Sequence, residues 1–580
     1  MNPDQDPSAS PASASPAATS TAARLDTDIV IVGGGPTGLM LAIELGCRGV
    51  HCVVLEEDAG PSPYPKANAN SARTMEHYRR RGFAHRIRAL GLPPDHPQDV
   101  VYSARFGGPD LARLKVQSRA QAARGEHAGD FSEADWPTPE LPHRAQQMFV
   151  EPVLWDEARS HASVDLRAGV QVAAVHDQGA SVRVVARDAQ GTELQVSARY
   201  AVGCEGARSV VRAAIGAEYQ GEAGAERDFF GGQMCGIYLR STALAALGSA
   251  APAWQCWVSN PARRGIVMAI DGVSLFIVGI QLAPGQGKED IDVQAVLDGL
   301  VGQRFAYEVL GINSWLAGYT LVADRYACGR LFVAGDAAHL FTPAAGMGYN
   351  TAVDDAVNLG WKLAAVVQGW AGEALLDSYE AERRPIGLRN TAYARAMADS
   401  MGLLRPPPEL EDAGPVGDAA RRRYAAACRA HLQREYNIPG LQLGLRYRSA
   451  VVAAEDETSA PADEPNRYQP GGFPGVRAPH VGLGGDPPMS IFDHFGRDFT
   501  LLCPDPHAPS ALAWLDAAAR QGLPLTLVAW PSVAAKQLYG AELSLIRPDH
   551  HIAWRGALTA HADPVLARAV GLQIQRGDPA

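Results

Sequence analysis

Residues 28–39 read Asp-Ile-Val-Ile-Val-Gly-Gly-Gly-Pro-Thr-Gly-Leu, an apolar run followed by a glycine-rich turn. An apolar run typical of a buried strand ends at Val32, and a G-x-G-x-x-G pattern follows at Gly33, Gly35 and Gly38. Gly33 permits a tight turn, Gly35 lets the backbone approach a pyrophosphate, and Gly38 lets helix and strand pack closely. The stretch therefore predicts an α/β, Rossmann-like domain that binds a dinucleotide.

The flanking residues complete this nucleotide-binding unit. A helical stretch follows over residues 39–47, and Pro36 and Thr37 stand at its start, where unpaired backbone N–H groups attract a phosphate. A second apolar strand then ends in Glu56, with Glu57 beside it. A carboxylate at this position can accept hydrogen bonds from both hydroxyls of an adenosine ribose. The combination of strand, helix, strand and terminal acid is much more specific than the glycine pattern by itself.

Composition and charge exclude several classes of function. The 580 residues carry a net charge of −11, which argues against nucleic acid as the main partner because no basic surface dominates. No apolar run approaches the roughly 18 residues that a membrane span needs. The eight cysteines are dispersed, without a C-x-x-C pair or a Cys/His cluster. We therefore expect a cytoplasmic protein with no membrane partner and no metal site.

Two further glycine-containing segments lie far along the chain. One covers residues 203–212 and opens Gly-Cys-Glu-Gly, and the other runs from Gly335-Asp336 through Pro343 to residue 363. Together with residues 28–39 they resemble the FAD-dependent aromatic hydroxylases, the single-component class A flavoprotein monooxygenases. Within that class the chain looks most like the phenol hydroxylase and dichlorophenol hydroxylase branch, which includes polyketide-tailoring hydroxylases. The resemblance covers nearly everything after residue 26.

The resemblance implies three domains, of which the first is assembled from separated segments. The last would be a thioredoxin-like domain, and because it lacks a C-x-x-C pair we expect it to have no redox role. The predicted boundaries are a disordered tail at 1–25, FAD-binding segments at 26–100, 146–227 and 321–405 (the last with long helices), a β-sheet substrate domain at 101–145 and 228–320, a linker and helical connection at 406–472, and the thioredoxin-like domain at 473–580.

The resemblance also implies the reaction. NADPH or NADH would reduce FAD, and O2 would then supply one oxygen atom to a phenolic or polycyclic aromatic substrate through a flavin C4a-hydroperoxide. The chain has no second G-x-G-x-x-G, which suits a nicotinamide co-substrate that binds only transiently. The implied partners are a small aromatic substrate and a second copy of the chain in a homodimer.

The positions of this chain that match the family's motifs imply which residues hold FAD. In the family, the acid after the third-motif glycine accepts from a ribityl hydroxyl, and the following loop places N–H groups against the flavin O2 edge. Glu205 replaces the family's usual Asp, while Arg208 and Arg212 are either cofactor contacts or ordinary surface charges. The implied set is Gly33, Gly35, Pro36, Thr37, Gly38, Glu56, Glu57, Lys66, Arg73, Gln147, Glu205, Asp336, Pro343, Gly346, Met347, Gly348, Tyr349 and Asn350.

The residue that would remove the substrate proton is unknown from the sequence. Some relatives carry an acid or a histidine before Arg73, but this chain has Asn68 and Asn70, which cannot act as bases. Weak catalytic candidates elsewhere are Tyr102, Arg105, Tyr238 and His339, and His339 is more often a structural residue. The apolar pocket candidates are Met234, Trp257, Met268 and Phe276, although residues of these types more often belong to the core.

Other functions remain open on the same scaffold. A Baeyer–Villiger or an antibiotic-modifying monooxygenase would show the same motifs, and a non-catalytic flavin-binding protein is a second alternative. A flavin halogenase is disfavoured because the chain has no W-x-W-x-I-P segment. An NAD-dependent dehydrogenase is disfavoured because the Gly335-Asp336 block has no role there.

Overall fold

The computed structural model describes residues 23–124, 126, 129–131, 135–224 and 227–572. Most of the predicted tail lies outside these residues, but residues 23–25 already belong to the first strand because they pair with residues 194–196. The strands of the described residues are β1 (Ala23–Val32), β2 (Cys52–Glu56), β3 (Ala69–Asn70), β4 (Val100–Ser103), β5 (Asp110–Leu114), β6 (His143–Arg144), β7 (Val164–Ala168), β8 (Val170–Asp177), β9 (Val182–Asp188), β10 (Glu193–Gly203), β11 (Tyr219–Glu222), β12 (Gly232–Arg240), β13 (Gln255–Ser259), β14 (Arg264–Ala269), β15 (Leu275–Gln281), β16 (Glu308–Ala317), β17 (Thr320–Ala323), β18 (Ala327–Cys328), β19 (Leu331–Val333), β20 (His339–Leu340), β21 (Gly482–Gly484), β22 (Met489–Ser490), β23 (Phe499–Cys503), β24 (Leu525–Ala529), β25 (Leu543–Ile546) and β26 (Ile552–Gly556).

The helices connect these strands and cover the sheets. In the same residues they are α1 (Pro36–Gly46), α2 (Ala72–Arg80), α3 (Ala84–Arg88), α4 (Arg119–Ala123), α5 (Gln147–Ser160), α6 (Val210–Ala214), α7 (Thr242–Gly248), α8 (Val293–Val301), α9 (Met347–Val367), α10 (Ala374–Leu403), α11 (Pro415–Tyr436), α12 (Pro439–Leu443), α13 (Pro509–Arg520), α14 (Val533–Tyr539) and α15 (Ala562–Ala569).

The predicted nucleotide-binding fold is present. Strands β19, β10, β1, β2 and β7 lie side by side in that order and run parallel, with β18 antiparallel at one edge and β8–β9 folded back onto β10. Their apolar side chains are buried, as expected for a parallel sheet. Helix α1 packs against α9 at Gly360, where a Cβ would approach the Glu44 Cβ to 2.6 Å.

A second sheet contains β16, β12, β15, β14, β13, β4 and β5 in that order. Residues opposite each other across the strands share a face. One face carries Gln255, Trp257, Met268 and Met234, and we call it the substrate face. The other face is covered by α8, whose Leu300 lies against Gly265. The pairing is antiparallel except between β4 and β13, which are parallel.

The C-terminal region is a separate α/β unit, as predicted. Strands β24, β23, β25 and β26 form a mixed sheet, parallel between β23 and β24 and antiparallel elsewhere. Helix α13 packs on α15, and both lie beside this sheet. The order of strands and helices agrees with a thioredoxin-like fold.

Two local features differ from the sequence expectations. The stretch 118–143 reads as a loop, but it contains α4, because Ser118 and Gln121 form a reciprocal capping box. Helix α11 begins at Pro415, inside the stretch 406–418 that reads as an interruption, because proline is well suited to the first helical position. Among the described residues no helix is long and apolar enough to cross a membrane, and no group of acidic, His and Cys side chains could hold a metal ion.

Candidate active site

The three glycine-containing turns meet at one edge of the parallel sheet. Val32 lies opposite both Leu55 and Gly203, and Gly203 lies opposite Val333, so the carboxyl ends of four strands coincide. The Cys204 N–H donates to the Val32 carbonyl at 2.7 Å. A Cβ on Gly33 would lie 2.7 Å from the Cys204 carbonyl carbon. The first turn therefore touches the second, and only glycine fits between them.

The first turn leaves open space where a phosphate would lie. A Cβ on Gly38 would approach the Gly33 carbonyl oxygen to 2.0 Å, so this glycine is required for close packing of α1 on β1. A Cβ on Gly35, in contrast, would meet no atom within 4 Å, so this position opens onto the cleft. No side chain caps the start of α1, and Pro36 is its first residue. The free N–H groups and the helix dipole therefore suit a pyrophosphate.

Glu56 is held at the end of β2 by backbone donors. Its carboxylate accepts from the Gly34 N–H at 2.5 Å and from the Asp58 N–H at 2.8 Å. Burial raises its pKa although both hydrogen bonds oppose the shift. Its remaining lone pairs can accept from a ribose. The neighbouring Glu57 is exposed and receives a hydrogen bond from Gln171 at 3.3 Å, so it lies outside this contact.

The third motif packs against the first. Gly335 has a φ of +61°, and a Cβ there would lie 2.5 Å from the Thr37 hydroxyl. Asp336 is exposed, and the surrounding protein raises the pKa of its carboxyl. The charge of Lys66 opposes that shift.

The loop that carries Lys66 is fastened to helix α5. The Gln147 backbone N–H donates to the Ala67 carbonyl at 2.7 Å, and its side-chain oxygen accepts from the Ala67 N–H at 3.3 Å. Glu151 accepts from the Ser62 N–H at 2.9 Å and from the Gln147 amide at 2.5 Å. Gln147 therefore positions the Lys66 loop, and Glu151 supports Gln147.

The loop before α9 has an unusual backbone. Ala345 and Gly346 both have positive φ, at +59° and +62°, so successive N–H groups turn toward one side. Asn350 fixes this loop to residues 69–74: it accepts from the Ser71 N–H and the Thr74 hydroxyl at 2.7 Å each. It also donates to the Ala69 and Gly346 carbonyls, at 2.9 and 2.7 Å.

In the rest of this loop the backbone is open at the start of α9, whereas the polar side chain of Tyr349 is already hydrogen-bonded. No side chain caps α9 at Gly346, so the N–H groups from Met347 to Tyr349 start the helix without a cap. Pro343 is exposed, whereas the Tyr349 hydroxyl is bonded to Tyr78 at 2.5 Å. The uncapped N–H groups at the start of α9 therefore fit an anionic flavin edge, whereas the Asn350 and Tyr349 side chains bond within the protein.

Several side chains that the resemblance places near FAD bond to other groups of the protein instead. Arg73 is buried, pairs with Glu76 at 2.9 Å and donates to the Asp549 carbonyl, so it joins α2 to the C-terminal domain. Glu205 folds back on α6, where it accepts from Ser209 at 2.8 Å and the Val211 N–H at 3.0 Å. Arg212 donates to the carbonyls of Ala207 and Ala337 and stacks on a tyrosine ring. Arg208 is exposed.

The substrate face lies opposite the loop of Asn68. The Asn68 amide contacts the Met268 sulfur at 3.2 Å. Met234, Trp257 and Met268 share this face, as proposed for a pocket. Phe276 does not: it pairs with Ala269 and Leu239, which point to the other face, because adjacent strand residues alternate.

Two of the four catalytic candidates lie on the substrate face and two do not. His339 is fully buried and bonded to Asp355 at 2.6 Å, and Arg105 pairs with Glu411 at the surface, so neither reaches the substrate face. Tyr102 is buried on that face, and its hydroxyl has no partner among the described residues. Tyr238 lies half-buried on the same face, opposite Ile277.

Sequence reasoning missed a polar group beside the substrate face. The Tyr436 hydroxyl accepts from the Gln255 amide at 2.8 Å and the Trp257 indole N–H at 3.1 Å. Arg144 stacks on Trp254, with its guanidinium carbon 4.1 Å from the ring centroid. No motif links these residues, because they come from three distant segments and meet only in the folded chain.

The comparisons agree with this geometry. A family model for an FAD binding domain matches residues 26–394, and one for the C-terminal domain of aromatic-ring hydroxylases matches residues 472–572. An FAD-dependent monooxygenase of Emericella nidulans is 30% identical, over 94% of this chain and 90% of its own length. The rebeccamycin biosynthetic enzyme RebC with reduced flavin superposes with a TM-score of 0.84 at 31% identity, over 95% of this chain and 100% of that chain. The flavin-dependent monooxygenase PieE, in complex with FAD and substrate, gives a TM-score of 0.84 at 27% identity, over 94% and 99%.

Proposed function

Because the chain belongs to the FAD-dependent aromatic hydroxylases, we propose that it hydroxylates a phenolic or polycyclic aromatic compound. FAD is its cofactor, and NADPH and O2 are the proposed co-substrates. The observation that carries the proposal is the meeting of three glycine turns at one sheet edge. The loop of Asn68 and Ala69 lies beside Gly346 and contacts Met268 on the sheet face of Trp and Met side chains. A cofactor held by those turns would extend toward that face.

The residues of the cleft fit FAD. The open space at Gly35 and the uncapped start of α1 suit the pyrophosphate, and Glu56 suits the ribose. Asp336 and Lys66 would flank the ribityl chain and phosphates, and the uncapped N–H groups of Met347–Tyr349 at the start of α9 would meet the flavin edge. When bound, FAD supplies the hydride and oxygen chemistry of the reaction.

The protein's own residues would contribute by positioning the substrate. The apolar substrate face would hold the ring of the substrate in one orientation and keep water away from it. Tyr102 and Tyr238 are the two catalytic candidates that lie on that face, so they are the proposed contacts to a substrate hydroxyl. Burial raises the pKa of both tyrosines, so each would act as a hydrogen-bond donor at neutral pH.

The test begins with the absorption spectrum of the purified protein and with its oxidation of NADPH and NADH against a panel of phenols and polycyclic phenols. We expect a yellow protein whose NADPH oxidation rises with an accepted substrate, and a product heavier by one oxygen atom. A protein that takes up no FAD would contradict the proposal. NMR of the product separates ring hydroxylation from lactone formation, and light scattering tests the predicted homodimer.

A further inference from the structure

The Arg144 side chain is a cation without a counter-ion. The buried arginines Arg48, Arg383, Arg477 and Arg547 are each paired with a carboxylate. Arg144 is half-buried and stacked on Trp254, yet among the described residues its guanidinium has neither an ion pair nor a hydrogen bond. Burial lowers its pKa to about 10, so it still carries a full charge at neutral pH. A partly desolvated charge of this kind is normally matched by an anion.

Tyr436 supplies a donor beside that charge. Its hydroxyl already accepts two hydrogen bonds, from Gln255 and Trp257, which occupy the oxygen lone pairs. Burial raises its pKa well above the ordinary value, so the phenol proton is retained. That proton is therefore available to an acceptor outside this group. The two groups lie against the same ring: Arg144 stacks on Trp254, and the Tyr436 ring packs edge-on to Trp254 with centroids 6.4 Å apart.

The position of these groups points to the substrate rather than to the outer surface. Gln255 lies opposite Met268 on the substrate face, and Met268 contacts Asn68. Arg144 pairs in register with Ala69, whose Cβ would lie 3.3 Å from a Cβ on Gly346. Glu435, next to Tyr436, accepts from the Ala345 N–H at 3.1 Å. The group therefore borders both the substrate face and the loop proposed to hold the flavin edge.

We propose that Arg144 and Tyr436 bind an oxyanion of the aromatic substrate, either a carboxylate or an ionised ring hydroxyl. Arg144 contributes charge and two parallel N–H donors, and Tyr436 contributes one O–H donor. Gln255 and Trp257 are positioning residues that direct the Tyr436 proton. This assignment rests on the proposed function, because it names the class of substrate for the same cleft.

The test compares three ligands of similar shape on the FAD-loaded enzyme: 2-naphthoate, ionised 1-nitro-2-naphthol and neutral 2-naphthamide. Binding is followed by tryptophan fluorescence, since Trp254 and Trp257 lie in the group. We expect at least one anion to bind tenfold or more tightly than the amide, and the better anion identifies which oxygen group the site takes. Arg144→Met should abolish this preference, Arg144→Lys should keep part of it, and Tyr436→Phe should weaken the anion several-fold.

The control variant is Arg304→Met, which removes the same charge from an exposed position. It should leave all three affinities unchanged. Equal binding of the three ligands by the wild type would overturn the oxyanion site. So would an Arg144→Met variant that keeps the wild-type preference for the anion. NADPH oxidation is measured separately, so an FAD-loaded protein that prefers the anion but oxidises NADPH with no substrate of the panel would contradict the proposed function and not the site.

Discussion

At the scale of single residues, Gly38 and Gly35 of the first glycine motif have different structural roles. Gly38 stands against the Gly33 carbonyl oxygen, and any side chain there would push α1 away from β1. Gly35 has an ordinary φ of −71° and faces open space, so an alanine fits the protein but projects into the cleft. The sequence pattern alone gives both glycines equal weight, whereas the contacts assign one to packing and the other to the ligand.

This difference gives a paired prediction. Gly38→Ala should destabilise the protein by about 1–3 kcal/mol, because the added methyl group overlaps backbone. Gly35→Ala should leave the melting temperature of the FAD-free protein unchanged and weaken FAD binding roughly tenfold, or about 1.4 kcal/mol. Calorimetry of the FAD-free protein and FAD titration measure the two effects. An unchanged FAD affinity in Gly35→Ala would place the pyrophosphate elsewhere.

At the scale of elements, the alternation of β-strands decides which apolar residues reach the ligand. Phe276 and Met268 are both plausible pocket residues by composition, but only Met268 points to the substrate face. Strand β16 shows the same effect at the edge of this sheet. Trp315 lies over Gly236 on the substrate face, since a Cβ on Gly236 would be 3.2 Å from the indole, whereas Leu316 points to the opposite side.

Trp315 and Leu316 therefore provide a matched test, because they are adjacent and similarly exposed, at 37% and 39%. Trp315→Ala should weaken binding of an aromatic substrate by about 1–2 kcal/mol, roughly 5- to 30-fold, through loss of ring contact. Leu316→Ala should change the affinity less than twofold. Both variants should melt close to the wild type. Equal losses of affinity in the two variants would show that the substrate does not lie along this face.

At the scale of the whole molecule, a buried charge cluster joins the cofactor domain to the C-terminal domain. Glu382 of α10 accepts from Arg547 at 2.6 and 2.8 Å and from Lys362 at 2.7 Å, and all three side chains are excluded from solvent. Asp549 bonds to Arg547 and to the Trp361 indole. The C-terminal domain, which has no C-x-x-C pair, is thus anchored against helices α9 and α10.

Removing the central carboxylate should loosen this anchor. Glu382→Gln leaves the buried Lys362 without its carboxylate and leaves Arg547 with Asp549 as its carboxylate partner. We therefore expect a loss of about 3–5 kcal/mol in the free energy of unfolding. Glu308→Gln, which breaks an exposed pair with Arg240, should cost about 0–1 kcal/mol. Urea unfolding at pH 7 measures both. A loss in Glu382→Gln no larger than in Glu308→Gln would mean that the cluster does not anchor the domain.

The difference in the free energy of unfolding between wild type and Glu382→Gln should depend on pH, because it comes from the charge of Glu382. Burial by itself would raise the pKa of Glu382, but Arg547 and Lys362 outweigh it and hold that pKa well below the ordinary range. The carboxylate's contribution is therefore complete above the unfolded pKa of about 4.3 and is lost as the pH falls below it. The gap between wild type and Glu382→Gln should shrink by about 1.4 kcal/mol per pH unit in that range. A gap that stays constant down to pH 3 would contradict the assignment.

The cofactor class and the Rossmann-like fold were readable from the sequence because they depend on local patterns. Glycine spacing, apolar strands and the acid at a strand end act within a few tens of residues, and residues 28–56 contain all of them. The division into distant FAD-binding segments followed from the family resemblance.

The tertiary structure alone decided which polar side chains lie beside the substrate face. Arg73 and His339 belong to motifs yet point into other contacts, while Arg144 and Tyr436 belong to no motif and meet beside that face. The physical reason is that the direction of a side chain depends on strand register and on the packing of segments hundreds of residues apart, and no local pattern carries that information.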